Sequence, residues 1–188
     1  MLRTLLDKLP KNKQALVEQV QTGDNKTALN ALRKLQGEGW TQDGTLAGLD
    51  LRKANLQNAT LARAQMTGVN LREADLRSAY FGATNLREAN LQNANLQGGN
   101  LCDVHLAGAN LAGADLSETH LAAGHLQGAN LRGANLRGAN LWQVDLRGAD
   151  LTDANLNGAN LSGTQFDETT LLPDGTHWSP ERDVSVFT

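Results

Sequence analysis

Aromatic side chains make up only 4% of this 188-residue chain, which also has a single cysteine and three prolines. Each scarcity excludes something. So few rings cannot fill an ordinary mixed globular core, so any core must be built from aliphatic residues. The lone Cys102 rules out an intrachain disulfide and suits a reducing compartment. No stretch approaches the roughly 20 apolar residues of a membrane span. Residues 1–20 carry charges throughout, at Arg3, Asp7, Lys8, Lys11, Lys13 and Glu18, where a secretory leader would be apolar. A cytoplasmic protein is the expectation.

Charge of one sign is also in short supply. The net charge of −3 divides as +3 over residues 1–40 (seven basic, four acidic), −4 over 41–172 (nine basic, thirteen acidic) and −2 over 173–188 (one basic, three acidic). No segment is basic enough for a nucleic-acid footprint. None is acidic enough to make DNA mimicry the first reading. Catalytic signatures are missing too: there is no phosphate-binding glycine loop, no Gly-x-Ser-x-Gly elbow and no His-Glu-x-x-His. Carboxylates scattered over solvated faces lack the cleft that tunes an acid or base. A protein that is not an enzyme and needs no cofactor is expected.

What is present is a count of five. From Leu46 to Leu171 every fifth residue is large and apolar, giving (171 − 46)/5 + 1 = 26 units; Leu holds the position except at Met66, Phe81 and Phe166. Two residues earlier stands a small residue, usually Ala, and one earlier usually Asn or Asp, as in Ala54-Asn55-Leu56 and Ala134-Asn135-Leu136. An α-helix has period 3.6 and a strand period 2, so a sustained five describes a coil that turns one corner per unit. The apolar and the small residue share parity and should point inward, the Asn or Asp between them outward. Glycines at the fifth slot, such as Gly108, Gly128 and Gly148, suit the corner.

A superperiod of twenty is also legible. Numbered cyclically by four, one class of units has Ala in the small slot without exception (Ala54, Ala74, Ala94, Ala114, Ala134, Ala154). Another holds six of the eleven non-Ala residues found there, including Thr84, Val104, Gly124 and Val144. Residues twenty apart should therefore be vertical neighbours, with four walls per coil. The alternation Val104, Gly124, Val144 reads as volume compensation between layers.

These units resemble the pentapeptide repeat family over about two thirds of the chain. The resemblance implies an all-β solenoid, a right-handed quadrilateral parallel β-helix of about 6.5 coils, on the order of 31 Å long at the ~4.8 Å spacing of paired strands. The expected organisation is an α-helical N-terminal cap over 1–40, the repeat over 41–172 and a capping tail over 173–188. The cap reads as three short apolar stripes: Leu2, Leu5, Leu6 and Leu9; then Leu16, Val17 and Val20; then Leu29, Leu32 and Leu35, opened by Asp24 or Asn25 and closed by Gly37. The tail turns at Pro173-Asp174-Gly175 and offers Trp178, Val184, Val186 and Phe187 as a lid. Open β edges aggregate, so both ends need covering.

Two surface features stand out. His105, His125 and Asp145 fall in one outward column, and two His plus a carboxylate can bind zinc. A straight row does not converge on one point, however, and no metal is expected. The second feature is the wall carrying Leu61, Phe81, Leu101, Leu121, Leu141 and Leu161. Its outward positions hold only Arg63 and Asp103 as charges, whereas the other three walls carry Arg52, Arg72, Arg77, Arg87, Arg132, Arg137 and Arg147. Tyr80, Cys102, His120 and Trp142 lie on this wall and form the candidate interaction face. Cys102 itself is expected to be an unreactive surface thiol.

The expected function is a non-enzymatic protein-interaction scaffold with a protein partner, no direct nucleic-acid or membrane binding, and room for a homodimer. The resemblance implies an alternative, since some family members mimic B-form DNA and bind and protect DNA gyrase or related topoisomerases. This chain departs from them in its mild array charge, its unbroken repeat and its short C-terminal segment.

Overall fold

The computed structural model describes residues 9–188; Leu2, Leu5 and Leu6 lie outside the described residues. Parallel bridges join residues twenty apart from Asp50 onward: Asp50 to Asn70, Asn55 to Asp75, Thr60 to Tyr80, Gln65 to Asn85, and so on up the rod. Each coil thus contributes one bridging residue to each of four walls, named below for Asp50, Asn55, Thr60 and Gln65. The bridges are single residues, too short for continuous strands, yet the ladder is regular. The Leu51 amide donates to the Asn70 carbonyl at 2.7 Å, and the Asn70 amide donates to the Leu49 carbonyl at 2.8 Å. Every layer therefore satisfies the backbone of the next, which is what permits a β-helix solenoid without lateral sheet edges.

The core is a stack of side-chain layers. Leu56, Leu76, Leu96, Leu116 and Leu136 are completely buried, as are Met66 and Phe81. The alanines of the small slot fill the space between them, Ala74 and Ala94 among them. Where that slot holds threonine, the buried hydroxyl is satisfied by backbone: Thr84 donates to the Leu61 carbonyl at 2.7 Å and Thr119 to the Leu116 carbonyl at 2.7 Å. A Cβ added at Gly124 would stand 3.6 Å from Val104 Cγ1 and 2.8 Å from the Leu121 carbonyl. Val104 is thus in ordinary van der Waals contact with that position, and the close neighbours of an added Cβ would be the Leu121 carbonyl and, at 3.1 Å, Leu126 Cδ1.

Corners are where the structure goes beyond the pattern. The third residue of each corner takes a left-handed backbone, and the fourth donates to the first, as Ala54 does to Leu51 at 3.1 Å. That is a type II turn arrangement, which favours glycine. Yet thirteen non-glycine residues, Lys53, Ala83 and Asp153 among them, hold φ between 54° and 62°. The Asn/Asp slot compensates. Its side chain turns back rather than standing away from the rod, and its Oδ1 accepts the amide two residues on: Asn90 from Gln92 at 3.1 Å, Asp115 from Ser117 at 3.0 Å, Asp150 from Thr152 at 2.9 Å. This Asx turn prepares each corner. The expectation of an outward-pointing residue is thus only half right, because this slot is mostly half-buried.

At the N-terminal end, helices α1 (Lys11–Thr22) and α2 (Asn25–Gly37) lie across the first coil. Asp24 caps α2 by accepting the Thr27 amide at 2.7 Å. Val17, Val20, Ala28, Ala31, Leu32 and Leu35 are buried and continue the leucine core. One contact that the sequence did not reveal pins the cap. Lys13 is buried, with its Nζ 2.6 Å from Asp43 and 5.0 Å from the centre of the Trp40 ring.

At the other end the register slips. The count of five reaches Leu171, but the bridge from Asp150 goes to Leu171 itself, one residue later than the period requires. Leu171 is therefore only half-buried, while Thr170 and Leu172 fill the inward positions. This corrects the reading of Leu171 as an inward leucine. The tail folds back through an antiparallel bridge between Leu171 and His177, and Trp178 stacks on Phe166 at 6.1 Å. A 3-10 turn, Val184–Phe187, follows. Phe187 packs on the core, but Val186 is 68% exposed and covers nothing.

Candidate interaction face

Two columns run the length of the Thr60 wall. The first is the bridging column Thr60, Tyr80, Asn100, His120, Asn140, Asn160. The second is Ala62, Gly82, Cys102, Ala122, Trp142, Ser162, whose members stack through corner bonds such as Ala83 amide to Cys102 carbonyl and Ala123 amide to Trp142 carbonyl, both at 2.9 Å. Fixed by the backbone, the columns put Tyr80, Cys102, His120 and Trp142 on one wall. Tyr80 and Trp142 are each 44% exposed, and they are two of the three large exposed apolar side chains among the described residues. His120 is exposed and Cys102 half-buried, with its Sγ 3.8 Å from the His120 carbonyl.

Tyr80 does not stand away from the wall. A Cβ at Gly82 would lie 2.9 Å from its hydroxyl and 3.0 Å from Cζ, so the ring lies down over the glycine. The surface is accordingly flat.

The other walls are charged, and most of their arginines are paired with carboxylates, Arg87 and Arg137 being the exceptions among the described residues. A recurring Asp-Leu-Arg unit closes on itself: Arg52 to Asp50 at 2.6 Å, Arg77 to Asp75 at 2.6 Å, Arg147 to Asp145 at 2.5 Å. Between coils, Lys53 meets Glu73 and Arg132 meets Asp150 at 3.5 and 3.4 Å. These exposed pairs add little stability individually. Their effect is to tie up most of the arginine charge on these walls. Asp145 is the exception in depth. It is 6% exposed, and its carboxyl is held down at about 2 by the Arg147 hydrogen bonds and by Gln127, against the opposing effect of burial.

The His105–His125–Asp145 column exists as the sequence suggests. The two rings stack at 4.8 Å between centres and 5° between planes. Asp145 does not turn toward them, because Arg147 and Gln127 hold it, the latter at 2.6 Å. Arg87 approaches His105 Nδ1 to 3.4 Å instead. Burial, reinforced by Arg87 and His125, lowers the His105 pKa. The row is thus two stacked imidazole rings beside Arg87, without converging ligands.

Among the described residues, no helix is long and apolar enough to cross a membrane. The pentapeptide repeat model matches this chain over residues 45–82, 84–121, 114–153, 125–163 and 134–171. No curated protein matches it. Among solved structures, the chain is 36% identical to the pentapeptide repeat protein Rfr23 from the cyanobacterium Cyanothece 51142, covering 57% of this chain and 90% of that one at a TM-score of 0.32. It is 27% identical to HetL of Nostoc sp. strain PCC 7120, a pentapeptide repeat protein involved in heterocyst differentiation regulation, over 70% of this chain and 86% of that one at a TM-score of 0.24. QnrB1, a plasmid-mediated fluoroquinolone resistance protein, is 19% identical over 63% of this chain and 77% of that one, at a TM-score of 0.24. With a backbone that repeats every twenty residues and a repeat motif matched across nearly all of the solenoid, the chain belongs to the pentapeptide repeat family.

Proposed function

We propose that this protein is a non-enzymatic, cytoplasmic protein-interaction scaffold whose contact surface is the Thr60 wall, on a solenoid wound in the right-handed sense. The observation that carries the reading is the contrast between walls. Three bear arginines closed onto their own carboxylates, while the fourth is nearly uncharged, flat, and furnished with Tyr80 and Trp142. Rigid aromatic anchors on a surface with little charge lose little entropy and little hydration on docking, the pattern of binding hot spots. With most of the wall arginines paired to carboxylates, little free cationic charge is left for direct nucleic-acid binding, which draws on unpaired cations.

The alternative is that the rod imitates DNA and modulates or protects DNA gyrase or a related topoisomerase. Its array charge of −4 (nine basic, thirteen acidic residues over 41–172) is small for that role. Affinity capture from host lysate, comparing the wild type with Trp142→Ala/Tyr80→Ala, tests the first reading. Loss of a specific protein in the double variant is expected, and identical captures would refute it. A gyrase supercoiling assay with a fluoroquinolone tests the alternative, where the expected result is no protection.

A further inference from the structure

An asparagine attacks its own backbone when its carboxamide is free and the next amide is uncommitted and uncrowded. The rod withholds that combination almost everywhere. Asparagines of the Asn/Asp slot are followed by leucine, and both groups are held. Asn90 Oδ1 accepts from the Gln92 amide at 3.1 Å, while the Leu91 amide donates to the Asn110 carbonyl at 2.7 Å. Asn58 and Asn93 precede alanines whose amides close the corner, Ala59 onto Leu56 and Ala94 onto Leu91, both at 3.0 Å.

Asn157 is different. It is the only asparagine in the sequence followed by glycine, which has no Cβ to crowd the attacking nitrogen. It stands second in the last corner of the Asn55 wall, and both Asn157 and Gly158 are exposed. Its backbone amide donates to Asn155 Oδ1 at 3.1 Å, but its carboxamide has no partner among the described residues. Interior corners hold their central peptide from both sides. At Arg132–Gly133 the carbonyl accepts from Gly113 and the amide donates to Thr152, each at 2.9 Å. At Asn157–Gly158 only the carbonyl is held, by the Gly138 amide at 2.9 Å. The tail that serves Asp153 and Gly148 supplies nothing to the Gly158 amide, which is unpaired among the described residues. This peptide can therefore rotate where the others are fixed.

Below Asn157 in the same column stands Arg137, one of the two wall arginines without a carboxylate. The two residues line one open hollow with Glu118, Gly138 and Gly158. Arg132 holds the same corner position one wall earlier. It reaches Asp150 at 3.4 Å and Asp153 at 3.8 Å, on either side of the equivalent residue in the next coil.

We propose that Asn157–Gly158 is a site of spontaneous deamidation, and that the carboxylate it produces pairs with Arg137. The Gly158 nitrogen, having given its proton to hydroxide, bonds to Asn157 Cγ. The Cγ–Nδ2 bond breaks and ammonia leaves with a proton from water, closing a succinimide. Water then opens the ring. Cleavage at the Cγ side gives aspartate, and cleavage at the main-chain carbonyl gives isoaspartate. One water enters, one ammonia departs, and the chain gains one negative charge over its net −3.

The full chain, aged at mildly alkaline pH and followed by peptide mass spectrometry, reads the reaction. Asn157 should convert ahead of every other asparagine, at a rate that rises with hydroxide. A protein isoaspartyl methyltransferase should label aged wild type, and Gly158→Ala should lose that label. Ala83 and Ala123 hold the same corner position, so this variant has a precedent in the fold. Arg132→Asn builds the same dipeptide at an interior corner, where the Gly133 amide is engaged, and should convert more slowly than Asn157. Conversion of Asn157 no faster than of Asn58 or Asn93 overturns the proposal, and equal rates at 132 and 157 overturn the part given to the free amide. Asn157→Asp tests the pairing. Its new carboxyl, followed by NMR, should titrate at lower pH than in Asn157→Asp/Arg137→Gln, and identical titrations would remove Arg137 from the site.

Discussion

The two ends of the rod face the same physical problem and solve it with different chemistry. Each end coil has backbone groups that would otherwise pair with another chain. At the N-terminal end the helical cap supplies neutral amides. Gln21 donates to the Asp50 carbonyl at 3.1 Å, Asn25 to the Asn55 and Gln57 carbonyls at 3.2 and 3.1 Å, and Gln36 to the Thr60 carbonyl. At the C-terminal end the chain completes its own ladder out of register. The amides of Leu151 and Asp153 donate to the carbonyls of Leu171 and Pro173, and the Gly148 amide finds the Asp167 carboxylate at 3.0 Å and the Thr170 hydroxyl at 3.1 Å. A solenoid can thus be stopped by docking a different secondary structure on it or by spoiling its own count. The first leaves amides at the edge and the second leaves a carboxylate.

The comparison can be broken most forcefully at α2. Leu35 is fully buried where the helix meets the leucine stack. Leu35→Ala should cost about 3 kcal/mol through lost transfer energy and the cavity left behind, read as a lowered denaturation midpoint. Mid-rod Leu96→Ala should cost a similar amount. Only the Leu35 variant should also form end-to-end oligomers, visible by light scattering, because only it loosens a cap. Equal aggregation of the two would deny the cap its protective role.

Next in size is acid. Asp145 has a folded pKa of about 2, below its unfolded value of ~3.9. Its contribution is therefore complete above about pH 4 and lost as pH falls from there toward 2. It should amount to about 1–2 kcal/mol, absent in Asp145→Asn. Asp167 moves in the same direction, lowered first by its hydrogen bond from the Thr169 hydroxyl and also by the Gly148 amide. Hydrogen exchange followed from pH 5 to 2.5 should accordingly rise earlier at Gly148 and Leu146 than at Tyr80 or Asn85, whose amides donate to Ala59 and Ala64 in the first coil. The reverse order would sink the distinction between an amide-sealed and a carboxylate-sealed end.

A smaller effect is expected at the lid. Trp178 is half-buried on Phe166, so Trp178→Ala should destabilise by about 1–2 kcal/mol, less than removal of a fully buried ring. The smallest effect lies between the ends. Ala83 and Ala123 hold φ of 54° and 57°. Replacing either with glycine relieves roughly 1 kcal/mol of left-handed strain but loosens the unfolded chain by about half of that or more. A gain of a few tenths of a kcal/mol in midpoint analysis is the expected outcome.

Much of this was legible from residues alone. The inward leucines, the twenty-residue stacking and the alternation of Val104 with Gly124 follow from the count of five, because a strictly periodic chain has one way to bury a strictly periodic stripe. Even the composition of the Thr60 wall could be listed, since parity and superperiod assign every outward position. The Asx turns were not foreseen, although the Asn/Asp slot advertised them, because a polar residue between two inward ones reads as solvent-facing. The Lys13 clamp on Trp40 and Asp43 joins residues about thirty positions apart in a segment without repeats, where no periodicity links them.

What the sequence by itself determined is the repeat: its period, its core and the four walls, because each unit's environment is made by copies of itself. What only the tertiary structure decided lies where that copying stops. The slip that puts Leu171 on the edge and Leu172 inside, the exposure of Val186, and the capture of Asp145 by Arg147 and Gln127 all depend on neighbours the repeat does not specify. Periodic order is a local rule applied many times, whereas an end, or a carboxylate choosing among partners, is settled only by what else occupies the space around it.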